Sequence, residues 1–116
     1  MRLEHERAGR TLIVRVSGSL DVHTADAFRE QVDAWFLASD ATRLVLNLSR
    51  VEFLDSTGLG AVLGRARRAW AAGRELALVP PSGVARSVLD ALALARTLPL
   101  FRSERLAVGE EAAADG

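Results

Sequence analysis

The chain has 116 residues, of which 49% are hydrophobic and 26% are charged. This balance is typical of one globular domain and unlike that of disordered, fibrous or coiled-coil chains. Fifteen basic residues, all of them Arg, match fifteen acidic ones, so the chain lacks the positive surplus of a general nucleic-acid or anionic-membrane binder. Cysteine is absent, which excludes disulfides, thiolate metal sites and a cysteine nucleophile.

Hydropathy indicates where the protein works. The longest strictly hydrophobic run has five residues, whereas a transmembrane helix needs about twenty and the core of a signal peptide about seven or more. Residues 1–7 carry charges of both signs. We therefore expect a cytoplasmic protein without a leader, a membrane partner or a nucleic-acid partner.

The first forty residues predict strands followed by a helix. Residues 11–17 alternate with the period of two of a β-strand and end at Gly18, and residues 2–7 are a weak candidate for an edge strand beside them. From Thr24 the apolar spacing becomes helical, which predicts a surface helix capped near Thr24. Its inward side chains are predicted to be Ala25, Phe28, Val32, Trp35 and Phe36, with Asp26, Glu30 and Asp33 on the opposite side.

The middle of the chain predicts a central strand and a second helix. Residues 44–48 are almost fully apolar, which indicates a strand covered on both faces. Helical spacing resumes after Asp55 and ends at Gly73, which suits the position after a helix C-terminus. The predicted inward side chains of this helix are Leu59, Val62, Leu63, Ala66, Ala69 and Trp70.

The last third predicts a strand, a third helix and a tail. Residues 76–79 form a short apolar strand that Pro80 and Pro81 stop, and Ser82 is the predicted cap of the next helix. Residues 98–101 are a candidate last strand, and residues 110–116 are predicted to be a flexible tail because they are small and polar. The third helix is expected to turn Val84, Val88, Leu89 and Leu92 inward.

Strands that alternate with helices pair in parallel through crossover connections. The predicted class is therefore α/β. We expect a single small domain over residues 1–109, with a mixed four- to five-stranded sheet and helices packed on it.

The most distinctive segment is residues 53–60, which read Phe-Leu-Asp-Ser-Thr-Gly-Leu-Gly. Two hydroxyls stand at the start of a helix that follows a central strand, at the sheet edge where α/β proteins meet ligands. One interpretation is that Asp55 or Ser56 only caps the helix. The other is a functional Ser56, because two hydroxyls beside two glycines leave more open backbone than a cap requires.

A phosphoryl group on Ser56 suits this position physically. The start of a helix has unpaired N–H groups and is electrostatically positive, so the helix tolerates the added charge. Phosphorylation adds about −1.5 to −2 charges at pH 7, and a neighbouring carboxylate on a partner is then repelled. Such a modification abolishes docking without refolding the domain.

Enzyme interpretations fit the sequence less well. Residues 58–64 have the glycine content of a dinucleotide-binding loop, but they do not directly follow a strand and the next strand ends in Pro80 rather than an acid. A serine hydrolase acting through Ser56 needs a base, for which His23 is the sole plausible candidate, and the chain has no G-x-S-x-G motif. In an aspartic protease the Asp is followed directly by Ser or Thr and then Gly, whereas residues 55–58 carry one inserted residue in that pattern.

Charged residues and glycines offer three weaker candidates. Asp21 and Asp55 offer two carboxylates, which are too few ligands for Mg²⁺ without a substrate phosphate, so no metal is expected. Gly60 and Gly64 are expected to let a partner or a neighbouring element approach the second helix closely. A basic cluster predicted on the exposed side of that helix is a solvated face unless a partner is acidic. The cluster consists of Arg65, Arg67 and Arg68.

Two segments of the chain together resemble the STAS domain of bacterial anti-sigma-factor antagonists. Residues 18–25, which read Gly-Ser-Leu-Asp-Val-His-Thr-Ala, are similar to the family's Gly-x-Leu-Asp-x-x-Thr-Ala turn. Residues 44–48 with Asp55 and Ser56 are similar to its central strand and phosphorylation loop, and Gly64 and Arg65 to its following helix. The resemblance covers nearly the whole chain, and the two segments in this order are more specific than either alone.

The resemblance implies a binding domain with no catalytic activity and no cofactor. Its partner would be an anti-sigma factor that is also a serine kinase, and the kinase would phosphorylate Ser56 with its own ATP. A separate phosphoserine phosphatase would reverse the modification, and Thr57 is a less favoured acceptor. The implied partner-binding residues are Ser19, Asp21, Val22, His23 and Thr24 in one loop, and Asp55, Ser56, Thr57, Gly58, Leu59 and Gly60 in another.

The sequence leaves two matters open. A structural STAS module that scaffolds a transporter or a signalling assembly, and never uses its serine, is the alternative function. The oligomeric state is expected to be monomer or weak dimer, because an exposed edge strand either pairs between copies or is covered.

Overall fold

The computed structural model describes residues 1–92 and 97–115, the last six of these by their backbone alone. The strands and helices alternate after an opening hairpin. In chain order they are β1 (Arg2–Ala8), β2 (Thr11–Leu20), α1 (Ala25–Leu37), β3 (Arg43–Leu54), α2 (Ser56–Ala71), β4 (Glu75–Val79), α3 (Gly83–Ala91) and α4 (Glu104–Asp115).

The strands form one mixed sheet in the order β1-β2-β3-β4. β1 is antiparallel to β2, while β2 with β3 and β3 with β4 are parallel pairs. Parallel neighbours need a connection that crosses the sheet, which α1 and α2 supply. The predicted α/β class, the mixed sheet and the weak edge strand at the N-terminus are therefore confirmed.

Helices cover both faces of this sheet. Phe28 of α1, Leu59 of α2 and Leu89 of α3 enter the main core with Leu44 and Leu46 of β3. On the opposite face, Ala107 and Val108 of α4 pack with Ile13, Val45 and Ala77. The expectation that the strand at residues 44–48 is central and doubly covered is confirmed.

Helix caps partly follow the sequence prediction. α2 ends as predicted, with Gly73 just beyond it at a φ of 71°. α1 does start after Thr24, but the Thr24 side chain makes no cap hydrogen bond there, and neither does Ser82 at the start of α3. The position of each cap residue was predictable because turn residues cluster at helix starts. The hydrogen-bond partner of its side chain depends on the neighbouring loop.

Three apolar side chains predicted to face inward are in fact exposed. Val84 and Leu92, at the two ends of α3, lie in solvent, as does Trp70 near the end of α2. The buried side chains of α3 are Ala85 and Leu89, one turn apart. A helix of nine residues buries only one narrow stripe, so the prediction overestimated how much of its surface the sheet covers.

The C-terminal region also differs from its prediction. The candidate strand at residues 98–101 reduces to one parallel bridge between Leu78 and Leu100. α4, which was not predicted, runs over Glu104–Asp115 with a non-helical Gly109 at a φ of 75°. The boundary at residue 109 and the flexible tail stay predictions, and residue 116 lies outside the described residues. No helix in the described ranges is long and apolar enough to cross a membrane.

Candidate functional site

Two loops meet at the carboxyl edge of the sheet. β2 ends at Leu20 and β3 at Leu54, and these two residues are partners in the parallel register. The chain leaves both strands in the same direction, so the loop at residues 21–24 and the start of α2 lie side by side. The topology thus brings together the two segments that the sequence marked as the site.

Asp55 joins these loops. It is the N-cap of α2, and its Oδ1 accepts a hydrogen bond of 2.8 Å from the Gly58 N–H. Its Oδ2 accepts a second bond, of 3.0 Å, from the Val22 N–H. One carboxylate therefore satisfies a donor of the helix start and a donor of the other loop, which makes Asp55 a structural link as well as a cap.

The first loop is held by its own side chains. Asp21 Oδ1 accepts hydrogen bonds from the N–H groups of His23, at 2.9 Å, and Thr24, at 3.2 Å. The Thr24 hydroxyl donates to the Ser19 carbonyl at 2.9 Å and accepts from the Asp21 N–H at 3.0 Å. These bonds turn the chain within six residues and point Val22 outward, with 60% of its surface exposed.

Gly58 lets the two loops come this close. A Cβ built on Gly58 would stand 2.0 Å from the Leu20 carbonyl oxygen. No side chain fits at that distance, because the obstacle is backbone and cannot rotate away. The first glycine of the segment is therefore required by the packing of α2 against the end of β2.

Ser56 is exposed at the first position of α2. Within residues 1–92 and 97–115, its Oγ makes no hydrogen bond, while the capping role is filled by Asp55. By helix geometry, the N–H groups of the first turn lack partners inside the helix. The Ser56 hydroxyl thus combines access from solvent with the positive end of a sixteen-residue helix.

The remaining predicted site residues divide between surface and interior. Val22, His23 and Gly60 are exposed and Thr57 is half-buried, so all four can meet a partner. Gly58 and Leu59 are buried. Leu59 fills the core and Gly58 packs on Leu20, and contact of these two residues with a partner stays a prediction.

The rival chemistries gain no support from this geometry. In the described part of the chain, no hydrogen bond joins the His23 ring to Ser56, and no three His, Cys, Asp or Glu side chains are grouped to hold a metal ion. Asp21 accepts backbone hydrogen bonds through its Oδ1, and Asp55 accepts them through both carboxylate oxygens. No neighbouring element among the described residues approaches Gly60 or Gly64 closely, since a Cβ on either meets nothing within 4 Å, and the approach of a partner there stays a prediction.

The predicted basic cluster on α2 is also wrong for one of its members. Arg65 is buried, with 5% of its surface exposed, while Arg67 and Arg68 lie in solvent. Arg65 Nε stands 3.1 Å from Asp33 Oδ1 across the contact between α1 and α2. Burial lowers the pKa of the Arg65 guanidinium, and helical spacing alone could not reveal a charged residue placed against another helix.

Sequence reasoning missed one exposed residue of this region. Phe53 keeps 48% of its surface exposed, two residues before Asp55, and it is the strand partner of Ser19. An exposed aromatic ring next to a binding loop is a common anchor for a partner protein. The signal in the sequence was the spacing of the apolar residues. Val51 and Leu54, which reach the core, are three residues apart, and Phe53 between them is out of phase with the core.

Comparison with known proteins agrees with this arrangement. The STAS domain family matches residues 2–107 of the chain. The chain belongs to the STAS domain family. The resemblance drawn from the two sequence segments is therefore confirmed.

Individual STAS proteins are similar over almost their entire lengths. The anti-sigma F factor antagonist of Paenibacillus polymyxa is 36% identical over 110 residues, which cover 95% of this chain and 92% of that protein. The structure of the anti-sigma factor antagonist SpoIIAA in its unphosphorylated form has a TM-score of 0.77 and 28% identity, covering 94% of this chain and 95% of that one.

A second structure shows a modified relative. The Bacillus cell fate determinant SpoIIAA in its phosphorylated form matches with a TM-score of 0.69 and 27% identity, covering 94% of this chain and 98% of that one. A STAS protein with this fold therefore exists in both an unphosphorylated and a phosphorylated form.

Proposed function

We propose that this STAS domain protein is an anti-sigma-factor antagonist of the cytoplasm whose binding is switched by phosphorylation of Ser56. The unmodified chain binds an anti-sigma factor that is also a serine kinase, and so frees the sigma factor. It acts as a binding protein and not as an enzyme. The observation that carries the proposal is the exposed Ser56 hydroxyl at the start of α2, which bonds none of the described residues and lies beside a carboxylate that already caps the helix.

The fixed surface around Ser56 supports docking of a folded partner. Asp55 holds Val22 and Gly58 in place through two short hydrogen bonds, so the two loops present one prearranged surface. A prearranged surface loses little conformational entropy on binding. Exposed Val22 and Phe53, from the two segments that meet at this edge, supply apolar contact area.

The phosphorylation step is a transfer from ATP held by the partner kinase. The Ser56 Oγ forms a bond to the γ-phosphorus, the bond from that phosphorus to ADP breaks, and the hydroxyl proton passes to a base of the kinase. The product carries about −1.5 to −2 charges at pH 7. A phosphoserine phosphatase removes the group by hydrolysis and restores the unmodified chain.

The charge of the phosphoserine explains how the switch works without refolding. The start of α2 stabilises an anion through its dipole and unpaired N–H groups, so the domain itself tolerates the group. A partner that approaches with a carboxylate meets repulsion in an interface from which water is excluded. Each 1.4 kcal/mol of this repulsion weakens binding about tenfold.

Intact-mass measurement tests the proposal directly. Wild type, Ser56→Ala and Thr57→Ala are each incubated with the cognate kinase-type anti-sigma factor and ATP. We expect wild type and Thr57→Ala to gain one phosphoryl group and Ser56→Ala to gain none while still binding the kinase. Ser56→Asp is expected to bind about tenfold more weakly. Phosphorylation of Ser56→Ala would refute the assignment, and absence of modification in wild type would favour the scaffold function.

A further inference from the structure

β1 is an edge strand with a regular free side. It pairs with β2 in an unbroken antiparallel register from Arg2 to Ala8, and this stretch contains no proline. Within residues 1–92 and 97–115, the sheet has no strand beyond β1, and no backbone hydrogen bond reaches β1 from a loop or a helix. The edge that the sequence left either covered or paired between copies is therefore uncovered in the single chain.

The turn of the hairpin determines which backbone groups of β1 point outward. Ala8 and Thr11 flank a two-residue turn, and the pair that closes such a turn exchanges its hydrogen bonds. Because the bonded positions of an antiparallel ladder alternate, the even-numbered residues of β1 bond to β2. The N–H and C=O groups of Leu3, His5 and Arg7 therefore point away from the sheet, and a strand is the structure that matches their spacing.

The charges of β1 are complementary to those of a second copy. Two identical edges related by a two-fold axis run antiparallel and keep equivalent faces of the sheet on the same side. With the axis at Glu4, Arg2 of each copy lies opposite Glu6 of the other. This pair lies on the face that α4 covers, because Arg15 bonds both Glu6 and Glu104 there. Opposite charges directly across from each other stabilise paired strands, and the symmetry supplies this pair twice.

The neighbouring symmetric registers match less well. An axis at His5 places Glu4 opposite Glu6 of the other copy at two positions, and like charges opposite each other destabilise the ladder. An axis at Leu3 leaves fewer residues of β1 in the ladder. In the register centred on Glu4, the two central carboxylates meet, but each also lies opposite Arg15 of its own chain, and that positive charge offsets the repulsion.

The other face of β1 supplies apolar contact. The His5 ring stacks on Trp35 of α1, with 4.2 Å between the ring centroids. Leu3 packs against the main core from the same face. In the register centred on Glu4, Leu3 of each copy lies opposite His5 of the other. The apolar strip formed by Trp35, His5 and Leu3 is then continuous across the axis, and it adds to the ladder hydrogen bonds.

We infer that two copies of this chain pair through β1 as an antiparallel, two-fold symmetric dimer with one continuous sheet. A contact one strand wide is small, so the dimer is expected to be weak and to dissociate on dilution. Antiparallel pairing turns the carboxyl edges of the two sheets to opposite ends of the dimer. Both Ser56 hydroxyls therefore stay accessible, and the dimer does not depend on the proposed function.

Complementary charge reversals test the partner and the register together. Arg2→Glu places two carboxylates opposite each other, and Glu6→Arg places two guanidinium groups opposite each other. In sedimentation equilibrium we expect either variant alone to dimerise at least about tenfold more weakly than the wild type. An equimolar mixture of the two variants restores opposite charges at both positions and should recover the association. Arg67→Glu makes the same charge change on the exposed face of α2 and should dimerise as the wild type does.

Hydrogen exchange gives a second readout that does not require a variant to fold. The amides of Leu3 and His5 should be protected in concentrated wild-type protein and should exchange faster on dilution. A wild type that stays monomeric at the highest attainable concentration would overturn the inference. A dimer with these amides unprotected would place the interface elsewhere. With both variants shown to be folded by circular dichroism, a mixture that stays monomeric would overturn the register centred on Glu4.

Discussion

The Asp55 carboxylate accepts a hydrogen bond from the Val22 N–H at 3.0 Å, across 33 residues of chain. The same carboxylate caps α2 through Gly58. The residue immediately before the candidate phosphorylation site is therefore the one that fixes the distance between the two site loops. This dual role makes Asp55 a test of the geometry that is independent of any partner.

Replacing Asp55 with Ala should remove both hydrogen bonds. We expect the free energy of unfolding to fall by about 1–2 kcal/mol, as for the loss of a helix cap, and the amides of Val22 and Gly58 to exchange faster. Urea denaturation and amide exchange measure the two effects. Asp26→Ala is the matched control, because Asp26 is exposed and, among the described residues, its carboxylate bonds only Arg29. Equal stability of the two variants would contradict the linking role.

The glycines of α2 should respond differently to the same substitution. Gly58→Ala places a methyl group on the Leu20 carbonyl. The backbone must then shift, and we expect the free energy of unfolding to fall by about 2–3 kcal/mol. Gly64→Ala meets open space and should gain about 0.5–1 kcal/mol from higher helix propensity. Thermal melting distinguishes the two signs. A neutral Gly58→Ala would show that the loops tolerate a wider separation.

Removing one partner of the buried ion pair between α1 and α2 should lower the free energy of unfolding. Asp33→Ala leaves the Arg65 guanidinium buried without its counter-ion, and Arg65 Nε and Nη1 are already among the buried atoms without a hydrogen bond. We expect a loss of about 3 kcal/mol. The double variant Asp33→Ala/Arg65→Met should recover much of that loss in urea denaturation. Arg68→Ala, which removes an exposed partner of Asp33, should cost less than about 1 kcal/mol.

Acid should weaken the contact between α4 and the sheet. Hydrogen bonds from Arg15 hold the pKa of Glu104 below its usual range. A lowered pKa in the folded state means that the ionised Glu104 stabilises the fold above its unfolded pKa of about 4.3. That stability is lost as the pH falls from the unfolded-state pKa of Glu104 through its lower folded-state pKa.

Thermal melts between about pH 6 and pH 3 check this prediction. Glu104→Gln should lower stability at neutral pH and flatten its decline in acid, because the side chain no longer ionises. Arg15→Met should flatten the decline in the same way by removing the group that lowers the pKa. A decline as steep in both variants as in wild type would mean that other carboxylates dominate.

Much of the fold could be predicted because its signals are local. The period of two at residues 11–17 and the doubly apolar run at residues 44–48 identified β2 and β3, and Gly73 marked the end of α2. α4 escaped prediction because, among the side chains described, its buried apolar residues are Ala107 and Val108, and Glu104 ties its start to the sheet through a polar contact with Arg15. So short an apolar stripe gives no periodic signal.

The candidate site was predictable in its members but not in its construction. Sequence patterns indicated Asp55, Ser56 and the loop near Asp21, but could not distinguish a capping residue from a modified one. The structure assigns capping to Asp55 and leaves the Ser56 hydroxyl exposed. It also places Leu59 in the core, because helical phase relative to the sheet depends on packing that spacing does not specify.

The sequence by itself determined the α/β class, the family and the identity of the exposed serine segment, since each of these depends on residue types at short and regular spacings. Only the tertiary structure decided that Arg65 is buried, that Gly58 touches Leu20 and that β3 outruns β4. All three depend on contacts between residues far apart in the chain. Such contacts are set by how strands align and helices pack, and no local pattern of side chains encodes those distances.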